Sequence, residues 1–335
     1  MTSTAAIPLA DPDLSDRLTA RLALVEEALR SAVAHADALA DEASRHLVNA
    51  GGKRLRPLLT LLVAELGDGS RREVIDAAVV VELTHLATLY HDDVMDSAPL
   101  RRGAPAAHEV WGNSVAILTG DLLFARASST VAGLGPEAVR IQARTFERLC
   151  LGQLHETVGP RADDDPVAHY LQVLADKTAS LIATSARLGA MFAGCQPSVV
   201  ETVTAFGERI GVAFQLADDV IDLTSDGTQT GKTPGTDLRE HVPTMPVLLL
   251  RERCAGPDAT EEDRALLARL DGDLSQDADL ADVVAALRGH AVVAQTRDRA
   301  VGLAHDAVRE LAPLPDGPVK DALVSFADVL VDRAS

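Results

Sequence analysis

Residues 74–96 read VIDAAVVVELTHLATLYHDDVMD. Val74, Ala77, Ala78, Val81, Leu83 and Leu89 mark a long apolar segment at helical spacing, and it runs directly into three carboxylates, Asp92, Asp93 and Asp96. Just upstream, Leu55, Leu58, Leu59, Leu62, Val63 and Leu66 fall on one helical face at steps of three and four. The same pattern predicts helices over 115–132, 137–158, 167–193, 198–223, 244–253, 260–270, 280–311 and 319–331. Alternating strand patterns are nearly absent. Gly- and Pro-rich segments at 51–52, 99–105, 133–136, 159–160, 227–243 and 313–318 separate the runs. The chain therefore reads as all-α, with about ten or more helices, many apolar nearly all round and so buried in a large bundle.

Composition narrows the function classes. The chain has 335 residues and no linker-like stretch, so residues 14–335 are expected to form a single domain behind a disordered segment at 1–13. A net charge of −19 argues against nucleic acid as a partner, because phosphate backbones need basic stripes. It leaves room for anionic small molecules, which a few local cations and a metal can hold. Cys150, Cys195 and Cys254 lie far apart without metal-ligand spacing, a pattern of reduced, mostly buried thiols in a cytoplasmic protein. The N-terminus lacks the basic region and apolar core of a signal peptide. No uninterrupted apolar run reaches the roughly 20 residues of a transmembrane segment.

The acidic end HDDVMD at 91–96 has an echo, ADDVID at 217–222. In a helix, positions four apart stack on one face, so Asp92 and Asp96 point the same way and Asp93 lies about 100° round. Asp218, Asp219 and Asp222 repeat the arrangement. Both clusters sit late in apolar helices, where the macrodipole and like-charge repulsion disfavour them. A cation offsets both costs, and oxygen-only ligands in twos and threes suit Mg²⁺ completed by water and substrate phosphate. Cations are concentrated nearby in sequence. Gly51-Gly52-Lys53-Arg54-Leu55-Arg56-Pro57 packs three into four residues, Arg101-Arg102-Gly103 follows the first acidic cluster, and Lys177-Thr178 and Lys232 accompany the other parts. Arg forks match phosphate oxygens and Lys supplies a compact charge. His85, seven residues before Asp92, shares its face two turns away.

Together, GGKRLRP (51–57), ELTHLATLYHDDVMD (82–96), RRG (101–103), KTASL (177–181), GVAFQLADDVIDL (211–223) and GKTPGTDL (231–238) resemble the trans-isoprenyl diphosphate synthases, or polyprenyl synthetases, over nearly the whole chain. The resemblance implies a large single-domain helical bundle of the isoprenoid synthase type with a deep central cavity. It implies Mg²⁺-dependent condensation of isopentenyl diphosphate with an allylic diphosphate (dimethylallyl, geranyl or farnesyl), head to tail and with trans double bonds. Asp92, Asp96 and Asp218 would hold about three Mg²⁺, supported by Asp93, Asp219 and Asp222. Arg101, Lys177 and Lys232 would contact the allylic diphosphate, and Lys53, Arg56, His85 and Arg102 would hold isopentenyl diphosphate. Thr178 and Gln215 would lie near the developing cation, with Gln153 across the cavity. A homodimer is expected. One departure stands out: after DLRE this chain has His241-Val242 where the family often has Gly-Lys, removing a second loop lysine.

Product length should follow the helix leading into the first motif, because one turn, about 5.4 Å, is close to one isoprene unit. Ala87 and Thr88, five and four residues before Asp92, are small, and the next turns offer Thr84, Val81 and Val80 without a bulky plug. The expected product is therefore a polyprenyl diphosphate of about C30–C45, with geranylgeranyl diphosphate as the alternative and Phe146 as the candidate floor. Three rivals are weaker. A terpene cyclase usually mixes Asn, Ser and Glu in its second metal motif and lines its cavity with aromatics, which make up only 3% of this chain. A metal-dependent phosphohydrolase built on His91-Asp92 would leave the duplicated motif unexplained. A non-catalytic partner subunit normally lacks a metal motif, and both are intact.

Overall fold

The computed structural model describes residues 9–224, 234–239 and 242–331. In chain order the helices are α1 (Pro12–Ala32), α2 (Ala38–Asn49), α3 (Leu55–Ala64) and α4 (Arg72–Met95). A minimal hairpin follows, β1 (Leu100–Arg101) and β2 (Ala104–Pro105), then α5 (Ala107–Trp111), α6 (Asn113–Ala132), α7 (Pro136–Val158) and α8 (Pro166–Leu174). A π-helical turn, Ala175–Ala179, joins α8 to α9 (Ser180–Phe192). Next come α10 (Pro197–Thr224), α11 (Thr236–Arg239), α12 (Met245–Ala255), α13 (Glu261–Leu270), α14 (Asp277–Arg288), α15 (Ala291–Glu310) and α16 (Pro318–Val331). The all-α expectation holds: among the described residues the strands are two residues long.

The chain forms two compact units. The first comprises residues up to 149, 180–207 and 310–326; the second comprises 150–179, 208–309 and the residues from 327. The divisions fall inside α7, α10, α15 and α16 and where the π-helical turn meets α9. No linker composition marks them, which is why residues 14–335 read as one domain in the sequence.

In the first unit, α4 packs against α1, α3, α6 and α9. Its buried residues include Val74, Ala77, Ala78, Val81, Leu83 and Ala87, so the opening stretch is a core helix. From Pro57 to Ala64, α3 is buried on every face. Where α3 meets α9, a side chain at Gly189 would overlap the Thr60 carbonyl oxygen, so the close approach requires glycine. Helix α1 begins inside the segment expected to be disordered. Asp11 accepts a hydrogen bond from the Leu14 amide (2.8 Å) and Pro12 occupies the first turn, a start signal that outweighs the polar composition around it.

In the second unit, Asp263 on α13 ties its own helix start to α12 and to the α14–α15 junction. It accepts from the Thr260 amide (2.8 Å), Arg253 Nε (2.9 Å) and His290 Nε2 (2.8 Å). These bonds hold its carboxyl well below the usual carboxylate range, the Thr260 amide contributing most. The run expected over 280–311 is two helices, α14 and α15, because Gly289 ends the first and the Val292 amide donates to His290 Nδ1 as the second begins.

Two further expectations bear on helix composition and on the cysteines, and the second needs correction. By length and composition α4 and α6 could each cross a membrane, since occasional charges do not cancel their apolar windows. The α4 window is 72% buried within the protein, which is the placement of a core helix. All three cysteines are free thiols, but Cys150 is exposed and Cys195 and Cys254 are only half-buried.

Candidate active site

The first aspartate motif closes α4. Asp96 is the C-cap, and its amide donates to the Asp92 carbonyl at 2.8 Å. Asp92 is half-buried, Asp96 exposed and Asp93 fully buried. Asp93 turns inward: its Oδ1 accepts from Arg101 Nε at 2.6 Å and also pairs with Arg101 Nη2. Burial raises its pKa above the ordinary carboxylate value, against the opposing pull of Arg101. The middle aspartate is therefore the clamp that sets Arg101 on the hairpin. Arg102 and Gly103 form the two-residue hairpin loop with φ of 55° and 78°, as a type I′ turn demands. His91 turns toward α6, with Nε2 at 3.1 Å from the Ile117 carbonyl oxygen and 3.4 Å from Asp121. That leaves a His-based phosphohydrolase centre without structural support.

The hairpin turn brings Arg102 to the glycine loop. Its guanidinium donates to the Gly51 carbonyl and packs where a side chain at Gly52 would stand, 2.7 Å from Arg102 Cζ, so the Gly pair makes room for it. Of the three loop cations, Lys53 is exposed and Arg54 belongs to the framework. Arg54 sits in the left-handed region (φ 48°) and donates to Glu26 (2.5 Å), to Glu82 (2.8 Å) and to the Val48 carbonyl (3.1 Å). Burial opposes its charge, but Glu82 and Glu26 outweigh that and raise its pKa. Arg56 differs: its buried Nε has no hydrogen-bond partner among the described residues. Burial lowers its pKa to about 10, with Glu82 opposing and Arg102 reinforcing the shift. Burial, then Arg56, Arg102, Arg54 and Arg101, hold His85 well below its ordinary value. Arg56, His85 and Arg102 thus lie near one another, and Arg56 Nε is their buried donor without a partner among the described residues.

The second motif shows the same division of labour. Gln215, Asp218 and Asp222 are half-buried at helical spacing on α10, while Asp219 is buried. Asp219 accepts from the Tyr170 hydroxyl at 2.9 and 2.8 Å and from the Met245 amide at 3.1 Å. Burial raises its pKa well above the carboxylate range despite these bonds. Lys177 and Thr178 lie on the π-helical turn inside the run expected as one helix over 167–193. Such turns insert one residue and often mark functional sites. Lys177 pairs with Glu156, and the Lys177 amide lies so close to Gly152 that a side chain there would meet it at 2.5 Å. Gln153 Oε1 is buried with no partner among the described residues. Lys232 and His241 lie outside the described residues.

Of the chain-length candidates, Ala87 and Thr84 are fully buried, whereas Thr88 is half-buried and keeps surface. Deeper on α4, Ala77 and Val81 join Ile141, Leu149, Leu181 and Leu188, with Phe146, Met191 and Phe192 packed against them. Phe146 also meets Phe124 in a tilted ring contact, ring centroids 3.9 Å apart. Sequence reasoning missed Glu26, Glu82, Glu156 and Tyr170. Of these, only Glu82 lies in a stretch the sequence singled out, as the first residue of 82–96.

Among the described residues, no three His, Cys, Asp or Glu side chains converge into a metal cage. An ion held here takes one or two carboxylates and completes its shell from diphosphate and water, which fits Mg²⁺.

Residues 37–287 match the family described as polyprenyl synthetase. The chain is 45% identical over 334 residues to nonaprenyl diphosphate synthase of Mycobacterium tuberculosis, covering 99% of this chain and 98% of that one. The structure is similar to a polyprenyl synthase from Caulobacter crescentus complexed with calcium and isoprenyl diphosphate (TM-score 0.86, 32% identity, all of both chains). It is also similar to a geranylgeranyl pyrophosphate synthase from Corynebacterium glutamicum complexed with the same ligands (TM-score 0.85, 42% identity, 97% of this chain and 99% of that one). With its motifs, its all-α fold and its match over most of its length, the chain belongs to the polyprenyl synthetase family.

Proposed function

We propose that this chain is a trans-polyprenyl diphosphate synthase that condenses isopentenyl diphosphate with a short allylic diphosphate to about C30–C45. The observation that carries the reading is the Arg56, His85 and Arg102 cluster, with a buried unpartnered Nε in a chain of net charge −19. Lys53, Arg56, His85 and Arg102 hold isopentenyl diphosphate. Arg101, Lys177 and Lys232 hold the allylic diphosphate, with Arg101 set by Asp93. Asp92, Asp96 and Asp218 are the ligands for about three Mg²⁺, which when bound draw charge from the departing diphosphate. Thr178 and Gln215 stand by the allylic cation, and apolar walls keep water from it. The alkene of isopentenyl diphosphate attacks that cation, and the released diphosphate takes the proton lost, so no side-chain base is required.

The nonaprenyl relative and the small residues Ala87, Thr88 and Thr84 support a long product. The 42% identity to a geranylgeranyl synthase keeps C20 as the alternative. Thr88→Phe is expected to shorten the product by several isoprene units, read by mass of the dephosphorylated alcohols; an unchanged distribution sinks the tunnel assignment. Ala87→Phe should act alike, but its buried methyl leaves no space and overpacking costs about 1–3 kcal/mol. We also assign a cytoplasmic homodimer, for which exposed Ile117 (42%) and Leu118 (65%) on α6 offer an apolar surface.

A further inference from the structure

Each aspartate motif spends its middle carboxylate on the protein itself, and in the second motif the partner is a residue that no motif contains. We propose that Tyr170 is a positioning residue for the second aspartate motif, acting through Asp219 on Asp218 and Asp222. The inference rests on the metal role proposed for Asp218.

Three elements meet at the Asp219 carboxylate. Tyr170 comes from α8, Asp219 from α10, and the Met245 amide from the first turn of α12. The Tyr170 hydroxyl lies within 2.9 Å of both carboxylate oxygens, and the Met245 amide adds a donor to Oδ2. A carboxylate so engaged and only 7% exposed has its acceptor capacity directed into the protein. Asp219 therefore does not share the metal-facing role of its neighbours. Gln215, Asp218 and Asp222 lie on one face of α10, and Asp219 stands about 100° from Asp218. Anchoring Asp219 fixes the rotation of the last turns of α10 about their own axis, and that rotation sets where Asp218 and Asp222 point. Groups that orient ligating carboxylates commonly change metal affinity by about 10–100-fold when removed. The first motif uses the same device with another partner, since Asp93 is held by Arg101.

Tyr170→Phe removes one hydroxyl and keeps the ring. The test titrates Mn²⁺ into the full-length protein with inorganic diphosphate, following free Mn²⁺ by electron paramagnetic resonance, beside thermal melts and the KM for isopentenyl diphosphate. Tyr170→Phe is expected to weaken Mn²⁺ binding about tenfold or more, with the KM for isopentenyl diphosphate unchanged. A purely structural role would lower the melting temperature and leave Mn²⁺ affinity alone. Asp218→Ala is the control. If Asp218→Ala loses Mn²⁺ while Tyr170→Phe binds it as the wild type does, the positioning role is wrong and the metal reading stands. If Asp218→Ala binds Mn²⁺ normally, the metal reading fails and takes this inference with it. Should Tyr170→Phe not fold, Asp219→Asn, which weakens the same anchor, is expected to lose Mn²⁺ affinity likewise; wild-type affinity there overturns the proposal.

Discussion

Asp92→Ala is expected to lower kcat by about a thousandfold at saturating Mg²⁺ while leaving the fold intact. Asp92 stands one turn before the end of α4, on the face it shares with Asp96, and Asp93 is already committed to Arg101. On the proposed reading Asp92 and Asp96 are the metal-facing carboxylates of the motif, and Asp92 is the one set within the helix proper. Charge stabilisation of a departing diphosphate by a metal is worth several kcal/mol, and about 1.4 kcal/mol is tenfold in rate. Losing roughly 4 kcal/mol gives the thousandfold figure. The substitution also removes an i,i+4 repulsion with Asp96 at a helix C-terminus. Steady-state rates and thermal melts of the two proteins check this. A kcat within tenfold of the wild type would mean that Asp92 does not carry the metal.

Arg54→Met is expected to destabilise the protein by about 3–5 kcal/mol, the usual effect of stripping one partner from a buried ion pair. The Arg54 side chain is 3% exposed and Glu82 is 2% exposed, so Glu82 would remain buried without its cation. The Val48 and Gly51 carbonyls would each lose a donor as well. The figure concerns breaking the pair, since a buried ion pair as such contributes little net stability. Denaturant titration of wild type and variant measures it, and a difference below about 1 kcal/mol would refute the framework role. Because Arg54 shapes the loop that carries Lys53 and Arg56, the folded fraction of the variant should also show a raised KM for isopentenyl diphosphate.

Periodicity made the helices legible because burial on one or all faces leaves a direct mark on residue choice. The apolar run at 74–96 emerges as α4, Arg72–Met95, within two residues at either end. Composition misled at the N-terminus, where Asp11-Pro12 was a readable start signal amid small polar residues. It misled again at Gly289-His290, where one glycine divides what the apolar pattern joins. Inside the candidate site, residue types and spacing marked the acidic and basic groups but not their division of labour. Asp93 and Asp219 look like their neighbours in sequence. What separates them is Arg101, eight residues away, and Tyr170, 49 residues away on another helix. Arg54 likewise resembles Arg56 until Glu26 and Glu82, each 28 residues distant, close around it. A helical wheel gives direction about one axis and carries no record of what waits on the neighbouring element.

The central claim is chain elongation by this protein alone. The direct measurement is incubation of the purified chain with Mg²⁺, isopentenyl diphosphate and farnesyl diphosphate, followed by mass analysis of the prenyl products. The account predicts linear polyprenyl diphosphates of about C30–C45, with no product when Mg²⁺ is chelated. A cyclic hydrocarbon, a product that stops at C20, or no elongation without a second protein would contradict it.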